Sequence, residues 1–150
     1  GEVPVPVTAQ ERAAPRHRFH PVALAAPFVV FVPLVLLPWN PIYPSLIALL
    51  VGSVAAALCR PDLWWKSIIG GSFFAGYYVL FMLGLEFSAS GYIERVWNLE
   101  ALSGPLLGPI PLEEIAFGFL FGMYWTGVYE HLTWKRSVRV RPRPTHGVAT

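Results

Sequence analysis

The sequence predicts an all-α integral membrane protein, a bundle of four transmembrane helices with both termini in the cytoplasm. Composition is the first observation: 55% of the 150 residues are hydrophobic, 13% are charged, and the mean hydropathy is +0.51. Soluble domains carry about 25% charged residues. The second observation is a set of apolar runs near the ~20 residues that cross a bilayer. The third is the uneven distribution of Lys and Arg between the connections.

The chain begins with a Pro- and Arg-rich stretch, residues 1–20, that shows no apolar period. This composition predicts a mobile or surface-lying cytoplasmic tail. Because the first residue is Gly1, either an initiator methionine is removed or the chain is part of a longer protein. The first span follows at residues 21–39, which carry no charge, and Pro27 and Pro33 predict kinks within it.

The second and third spans are rich in small residues, which favour close packing between helices. The second is Ile42–Cys59, and its cysteine is the only one in the chain. We expect this cysteine to pack as a small apolar residue near the helix end, because it cannot form an internal disulfide. The third span is predicted at residues 63–87, with Gly70, Gly71 and Gly76 as contact surfaces.

The fourth span is predicted at residues 112–134, after a polar-to-mixed loop at residues 88–107. This loop is longer than most connections between helices, and long loops are often functional. Two adjacent carboxylates, Glu113 and Glu114, lie in the first turn of the span, shortly after Pro111 in the sequence. Proline suits the start of a helix, and acids in the first turn favour the positive end of the helix dipole.

Basic residues fall almost entirely on one side of such a bundle. Ten of the eleven Lys and Arg residues lie in residues 1–20, around the connection between the second and third spans, or in a basic tail at residues 135–150. Only Arg95 lies on the other side. The positive-inside rule therefore predicts cytoplasmic termini, in a bacterial inner membrane. Attraction to anionic lipid explains the basic tail, so membrane lipid is the expected partner and nucleic acid is not.

Three carboxylates are predicted at the non-cytoplasmic end of the bundle. Glu86 ends the third span, and Glu113 and Glu114 begin the fourth, so the topology brings them to one membrane depth. In a low-dielectric site one member of such a cluster is protonated and can act as a general acid, while a neighbour acts as the base. The alternative is helix capping with salt bridges to Arg95.

Helical spacing places four aromatic side chains on the faces below the two glutamates: Phe117, Phe121, Tyr124 and Trp125. Aromatic faces attract cations, including carbocations. Ordinary packing against helices or lipid is the other use of such rings. No Cys/His cluster in the sequence has the spacing of a zinc site, so no metal is expected. The sequence also has no glycine-rich phosphate-binding motif.

Two adjacent stretches resemble the membrane type of lycopene cyclase, found in certain bacteria, archaea and fungi: GYIERVWNLEALSG at residues 91–104 and GPIPLEEIAF at residues 108–117. The shared pattern is a tryptophan-containing loop, a glycine, and Pro-x-Glu-Glu-x-x-Phe at the start of a helix. The resemblance covers about residues 40–136 and contains a single repeat, whereas active cyclases of this type carry two.

The resemblance implies proton-initiated cyclisation of a linear carotenoid end group, without net redox change and without a cofactor. Glu113 and Glu114 would be the acid–base pair, Glu86 a loosely matching third acid, and Trp97 and Phe117 neighbours of the ring site. The implied ligand is a carotenoid or lipid, and the implied partner is a second cyclase-like repeat. Two alternatives remain: a non-catalytic, carotenoid- or lipid-binding subunit of a larger membrane complex, such as a pigment–protein assembly, and a four-helix transporter protomer.

Overall fold

A computed structural model describes residues 2–139 of the chain, which are mostly helical. In chain order the elements are β1 (Glu2–Pro6), α1 (Ala9–Arg12), α2 (His20–Leu34), α3 (Ile42–Cys59), α4 (Trp64–Ser88), α5 (Tyr92–Val96), β2 (Leu106–Leu107), β3 (Ile110–Pro111), α6 (Leu112–Thr133) and β4 (Lys135–Arg139). Short 3-10 turns lie at Pro15–Phe19, Pro61–Leu63 and Leu99–Ala101.

The long helices are arranged around α6, which packs against α4 and α3, while α2 packs mainly against α3. Glycines allow the closest of these approaches. A Cβ atom on Gly122 of α6 would lie 2.6 Å from the Cβ of Phe74 and 3.0 Å from the carbonyl oxygen of Gly70, both in α4. Gly71 is equally close to α6, as predicted, but Gly76 is not a contact surface, because no atom lies within 4 Å of where its Cβ would be.

Among residues 2–139, two helical stretches are long and apolar enough to cross a membrane: Ile42–Cys59 and Pro61–Ser88. Their most apolar 18-residue windows have mean hydropathies of 2.1 and 1.8, and only 28% and 11% of these windows are buried inside the protein. Large apolar side chains such as Phe73 and Phe87 are therefore exposed. A contiguous apolar surface of this kind is typical of contact with lipid or another protein and indicates association with a membrane.

The first of the predicted spans, residues 21–39, is too long. The helix there, α2, begins at His20 and ends at Leu34, and turns occupy the residues that follow. Pro27 and Pro33 both lie inside α2, and the second of them removes a backbone donor from its last turn. A helix of 15 residues is about 22 Å long, which is less than the ~30 Å of a hydrocarbon core.

The other three long helices lie close to their predicted bounds. α3 has the bounds predicted for the second span, and α4 is displaced by one residue from residues 63–87. α6 ends at Thr133, one residue before the predicted end, because Trp134 has a left-handed φ of 55°. The loop at residues 88–107 is not irregular throughout, since it contains α5 and one of the 3-10 turns.

The N-terminal segment, predicted at residues 1–20 as a mobile or surface-lying tail, contains regular structure. Every residue of β1 is paired antiparallel with β4, and the N–H of Val7 donates to the carbonyl of Trp134 at 2.8 Å. The segment is regular because its backbone groups find partners in the strand that follows α6, which composition could not indicate. Residues 140–150 of the predicted basic tail lie outside the described residues.

Candidate functional site

The two glutamates lie in the first turn of α6, directly behind the hairpin of β2 and β3. This hairpin turns at Gly108, whose φ of 61° lies in the left-handed region that glycine adopts without strain. The N–H of Leu112 then donates to the carbonyl of Pro105 at 3.1 Å, which ties the start of α6 to the loop before it. As a result Glu113 and Glu114 are buried, with exposed fractions of 6% and 8%.

Glu114 accepts a side-chain hydrogen bond on each of its oxygens. The hydroxyl of Tyr78, in α4, donates to Oε2 at 2.7 Å, and the indole N–H of Trp97 donates to Oε1 at 2.8 Å. A donor on each oxygen fixes the orientation of a carboxylate. Glu114 is therefore held in one position between α4 and the loop that carries Trp97.

Glu113 has a different environment. Its Oε1 accepts the backbone N–H of Ser103 at 2.7 Å and the hydroxyl of Tyr43 at 3.4 Å. Its Oε2 is buried and has no hydrogen-bond partner among the residues that the structure describes. The two glutamates therefore differ in their contacts, because one oxygen of Glu113 lacks a described donor whereas both oxygens of Glu114 have one. None of the four groups that hold the pair is a cation, so salt bridges to Arg95 do not account for its position.

The third predicted acid, Glu86, has its own set of contacts. Its Oε1 accepts the N–H of Gly91 at 2.6 Å, and its Oε2 accepts the N–H of Ile93 at 3.0 Å. These bonds fix the turn between α4 and α5. Ile93 is fully buried in a small apolar cluster, and Trp97 packs against that cluster. Glu86 therefore holds the segment that carries Trp97.

The four aromatic residues predicted below the glutamates line one cavity of about 370 Å³ between α2, α3 and α6: Phe117, Phe121, Tyr124 and Trp125. Phe28 and Phe31 of α2 line its other side. The hydroxyl of Tyr124 donates to the carbonyl of Leu24 at 2.7 Å, which joins α6 to α2 at the edge of the cavity. The sequence predicted that these rings share a surface of α6, and the structure shows that α2 and α3 flank that surface.

Three of these rings form a column along α6. The centroids of Phe117 and Phe121 are 5.9 Å apart, as are those of Phe121 and Trp125, and the second pair is nearly parallel at 7°. The column begins one helical turn below the glutamates and extends for roughly 12 Å. The ring of Tyr78 lies 6.5 Å from that of Phe117, so one tyrosine contacts both Glu114 and the first ring of the column.

Trp97, which the resemblance placed near the ring site, contacts Glu114 and does not line the cavity of the aromatic column. Tyr43 and Tyr78, the two hydroxyl donors to the glutamates, were not predicted from the sequence. Which residues of α3 and α4 face α6 depends on the packing of the helices. The mixture of glycines and aromatic residues in α4 was the only signal in the sequence for Tyr78.

A second group of chemically active side chains lies at the opposite end of α3. His17, His20 and Cys59 are buried, and their ligand atoms all lie within 4.8 Å of one another. Sequence spacing did not reveal this group, because the cysteine is separated from the histidines by the whole of α2 and α3. The spacing of His17 and His20, three residues apart, was the available signal.

Comparison with known proteins bears on the region of the glutamates. A family model described as Lycopene cyclase matches residues 40–132, which is more than half of the chain. The matched region includes α3, α4 and nearly all of α6, and therefore both glutamates, Trp97 and the aromatic column. No curated protein and no solved structure matches the chain.

Proposed function

Since the chain belongs to the lycopene cyclase family, we propose that it carries out the proton-initiated cyclisation of a linear carotenoid end group. The observation that carries this proposal is the contrast between two adjacent buried glutamates. Glu114 has a donor on each oxygen, whereas Glu113 has a buried oxygen without a partner among the described residues. An acid and a base in one apolar site are the groups that such a reaction needs.

In the proposed mechanism Glu113 is the general acid, because its Oε2 is the carboxylate oxygen of the pair without a described donor and can carry the proton to the substrate. Its proton passes from Oε2 to the terminal double bond of the polyene, which leaves a carbocation at the more substituted carbon. The electrons of a nearby double bond then form the new carbon–carbon bond of a six-membered ring and move the positive charge to a ring carbon. Glu114 removes a proton from the carbon beside it, and that C–H electron pair becomes the ring double bond. One proton enters and one leaves, so the product is an isomer of the substrate.

The aromatic column provides the environment for the cation. A positive charge over an aromatic face is stabilised by about 0.5–2 kcal/mol, more when water is excluded. Phe117, Phe121 and Trp125 form an apolar wall along which a polyene end can lie. Apolar surroundings also protect the carbocation from capture by water, which would give an alcohol instead of a ring.

We also propose a membrane arrangement for this site. Four apolar segments cross a bacterial inner membrane with both termini in the cytoplasm, and the apolar residues after Leu34 complete the crossing that α2 begins. The glutamates lie near the opposite surface, where a carotenoid enters from lipid. The exposed apolar surfaces of α3 and α4, the distribution of Lys and Arg, and the pairing of β1 with β4 support this arrangement. A second cyclase-like repeat is the proposed partner, because active cyclases of the type that the sequence resembles carry two.

The test is ring formation in a lycopene-accumulating host that also expresses a candidate second repeat. We expect cyclic product from the wild-type chain, and a loss of at least ~100-fold in Glu113→Gln and Glu114→Gln, the range for a lost general acid or base. Glu94→Gln is the matched control, since Glu94 is exposed on α5.

Wild-type amounts of ring product from both glutamine variants would contradict the acid–base assignment. A wild-type chain that is inserted, copurifies with unchanged linear carotenoid and forms no ring with any second repeat would favour the alternative, a non-catalytic carotenoid-binding subunit.

A further inference from the structure

We propose that His17, His20 and Cys59 form a binding site for a divalent transition metal, with Zn²⁺ as the best match. The three side chains are almost completely buried, with exposed fractions of 5%, 4% and 3%. The sulfur of Cys59 lies 3.9 Å from Nδ1 of His17 and 3.6 Å from Nδ1 of His20. This site lies away from the glutamates and does not depend on the proposed cyclisation.

The two sulfur–nitrogen distances fit tetrahedral coordination. Zn²⁺ binds sulfur at about 2.3 Å and nitrogen at about 2.0–2.1 Å, so two ligand atoms on one tetrahedron are about 3.5 Å apart. The two sulfur–nitrogen distances, 3.6 and 3.9 Å, differ from this value by only a few tenths of an ångström. One thiolate with two imidazoles is also a donor set that a borderline-soft cation prefers over Mg²⁺ or Ca²⁺.

The environment of His20 orients it as a ligand. Its Nε2 hydrogen bonds to the backbone carbonyl of His131, and because a carbonyl only accepts, this nitrogen carries the proton. Its Nδ1 is then left with a free lone pair on the side of Cys59. A metal-binding histidine characteristically donates its other N–H to a carbonyl or carboxylate in this way.

The surroundings of the three residues exclude water. The ring of Trp134 stacks on His20, with centroids 4.0 Å apart at 12°, and meets His17 edge-on at 5.4 Å. The ring of His131 lies 4.7 Å from that of His20, and its Nε2 is buried without a hydrogen-bond partner among residues 2–139. This unpartnered nitrogen is an independent indication that the pocket accommodates a further group.

An ion here would join three parts of the chain. His17 lies in the 3-10 turn before α2, His20 begins α2, and Cys59 ends α3. Burial of all three side chains is typical of a structural metal, whose binding free energy adds to the free energy of folding. We therefore expect the metal to fasten the N-terminal segment to the cytoplasmic end of the bundle.

The first measurement is the metal content of the full chain. The wild-type protein is purified in detergent from cells grown with added Zn²⁺, dialysed briefly against a weak chelator and analysed by mass spectrometry of the elements. We expect about one Zn²⁺ per chain, as for a closed structural site. Cys59→Ser and His20→Asn should lose it, whereas Glu94→Gln, an exposed acid on α5, should keep it. A monodisperse wild-type protein with less than about a tenth of this content would overturn the proposal.

The second measurement does not require a variant to fold. Metal-free wild-type chain is titrated with Co²⁺, which occupies zinc sites and reports on its ligands by absorption. We expect a thiolate-to-cobalt charge-transfer band that saturates at about one equivalent and is abolished by Zn²⁺. No such band in the wild-type chain would overturn the proposal whatever the variants do. Because neither readout is ring formation, this result is independent of the proposed cyclisation.

Discussion

Adding one methyl group at Gly122 tests whether α4 and α6 pack as closely as the position of Glu114 requires. In Gly122→Ala the new Cβ would lie 2.6 Å from the Cβ of Phe74 and 3.0 Å from the carbonyl oxygen of Gly70. Carbon atoms in contact are normally about 3.5–4.0 Å apart, so the overlap is close to 1 Å. Two of the nearby atoms belong to the α4 backbone, which cannot move aside as a flexible side chain could.

The expected cost follows from a comparison with Gly84→Ala. At Gly84 no atom lies within 4 Å of the new Cβ, so this variant gains only the preference of a helix for alanine, about 1 kcal/mol. Gly122→Ala has the same gain but also the overlap, and overpacking costs about 1–3 kcal/mol. Gly118→Ala should be intermediate, because its nearest contact is 3.2 Å, to Tyr78.

The assay is equilibrium unfolding in mixed detergent micelles, followed by circular dichroism. We expect the free energy of unfolding to decrease in the order Gly84→Ala, Gly118→Ala, Gly122→Ala, with about 1–3 kcal/mol between the first and the last. Ring formation should fall in Gly122→Ala as well, because displacing α4 moves Tyr78 away from Glu114. Equal stability of Gly122→Ala and Gly84→Ala would refute the close contact between the two helices.

Two further predictions concern the residues that hold the site. Tyr78→Phe removes the 2.7 Å hydrogen bond to Glu114 and should lower the free energy of unfolding by about 1.5–3 kcal/mol, the range for a bond to a charged group. Tyr77→Phe, at an exposed neighbouring tyrosine, should change it by less than about 0.5 kcal/mol, and equal effects would argue against the bond. Glu86→Gln should speed hydrogen exchange at the Ile93 amide and reduce ring formation without abolishing it. Complete loss of product from a folded Glu86→Gln protein would instead support the catalytic role first expected from the sequence.

The helices were predictable because each is an apolar run ended by a recognisable breaker. Arg60 and Pro61 mark the end of α3, and the prolines that precede Glu113 mark the start of α6. The end of α2 was misjudged because the apolar run continues past Leu34, where the chain already turns. Hydropathy indicates which residues avoid water, but it does not indicate at which residue a helix ends.

The site was predictable only along its own helix. Glu113 and Glu114 and the rings below them follow from the period of α6, which fixes neighbours three and four residues apart. The tyrosines that donate to the glutamates lie on α3 and α4, and their registers relative to α6 are set by glycine contacts such as that of Gly122. The residue pattern of a single helix does not indicate its register relative to a neighbouring helix.

The paired strands and the histidine–cysteine cluster were missed for a related reason. β1 contains two prolines, and its composition is typical of an irregular tail. It forms a strand because it pairs with β4, which is distant in the sequence. His17 and Cys59 are brought together by the antiparallel packing of α2 on α3. Contacts between distant segments of the chain depend on the fold, so one sequence does not reveal them.

The central claim, that a proton from Glu113 starts the ring closure, is tested most directly by carrying out the reaction in D₂O. Membranes that contain the wild-type chain and its partner repeat are supplied with lycopene, and the product is analysed by mass spectrometry. The account predicts one deuterium retained for each ring formed and no deuterium in recovered substrate, with no ring product from Glu113→Gln. Cyclic product without deuterium, or labelled product from Glu113→Gln at the wild-type rate, would contradict it.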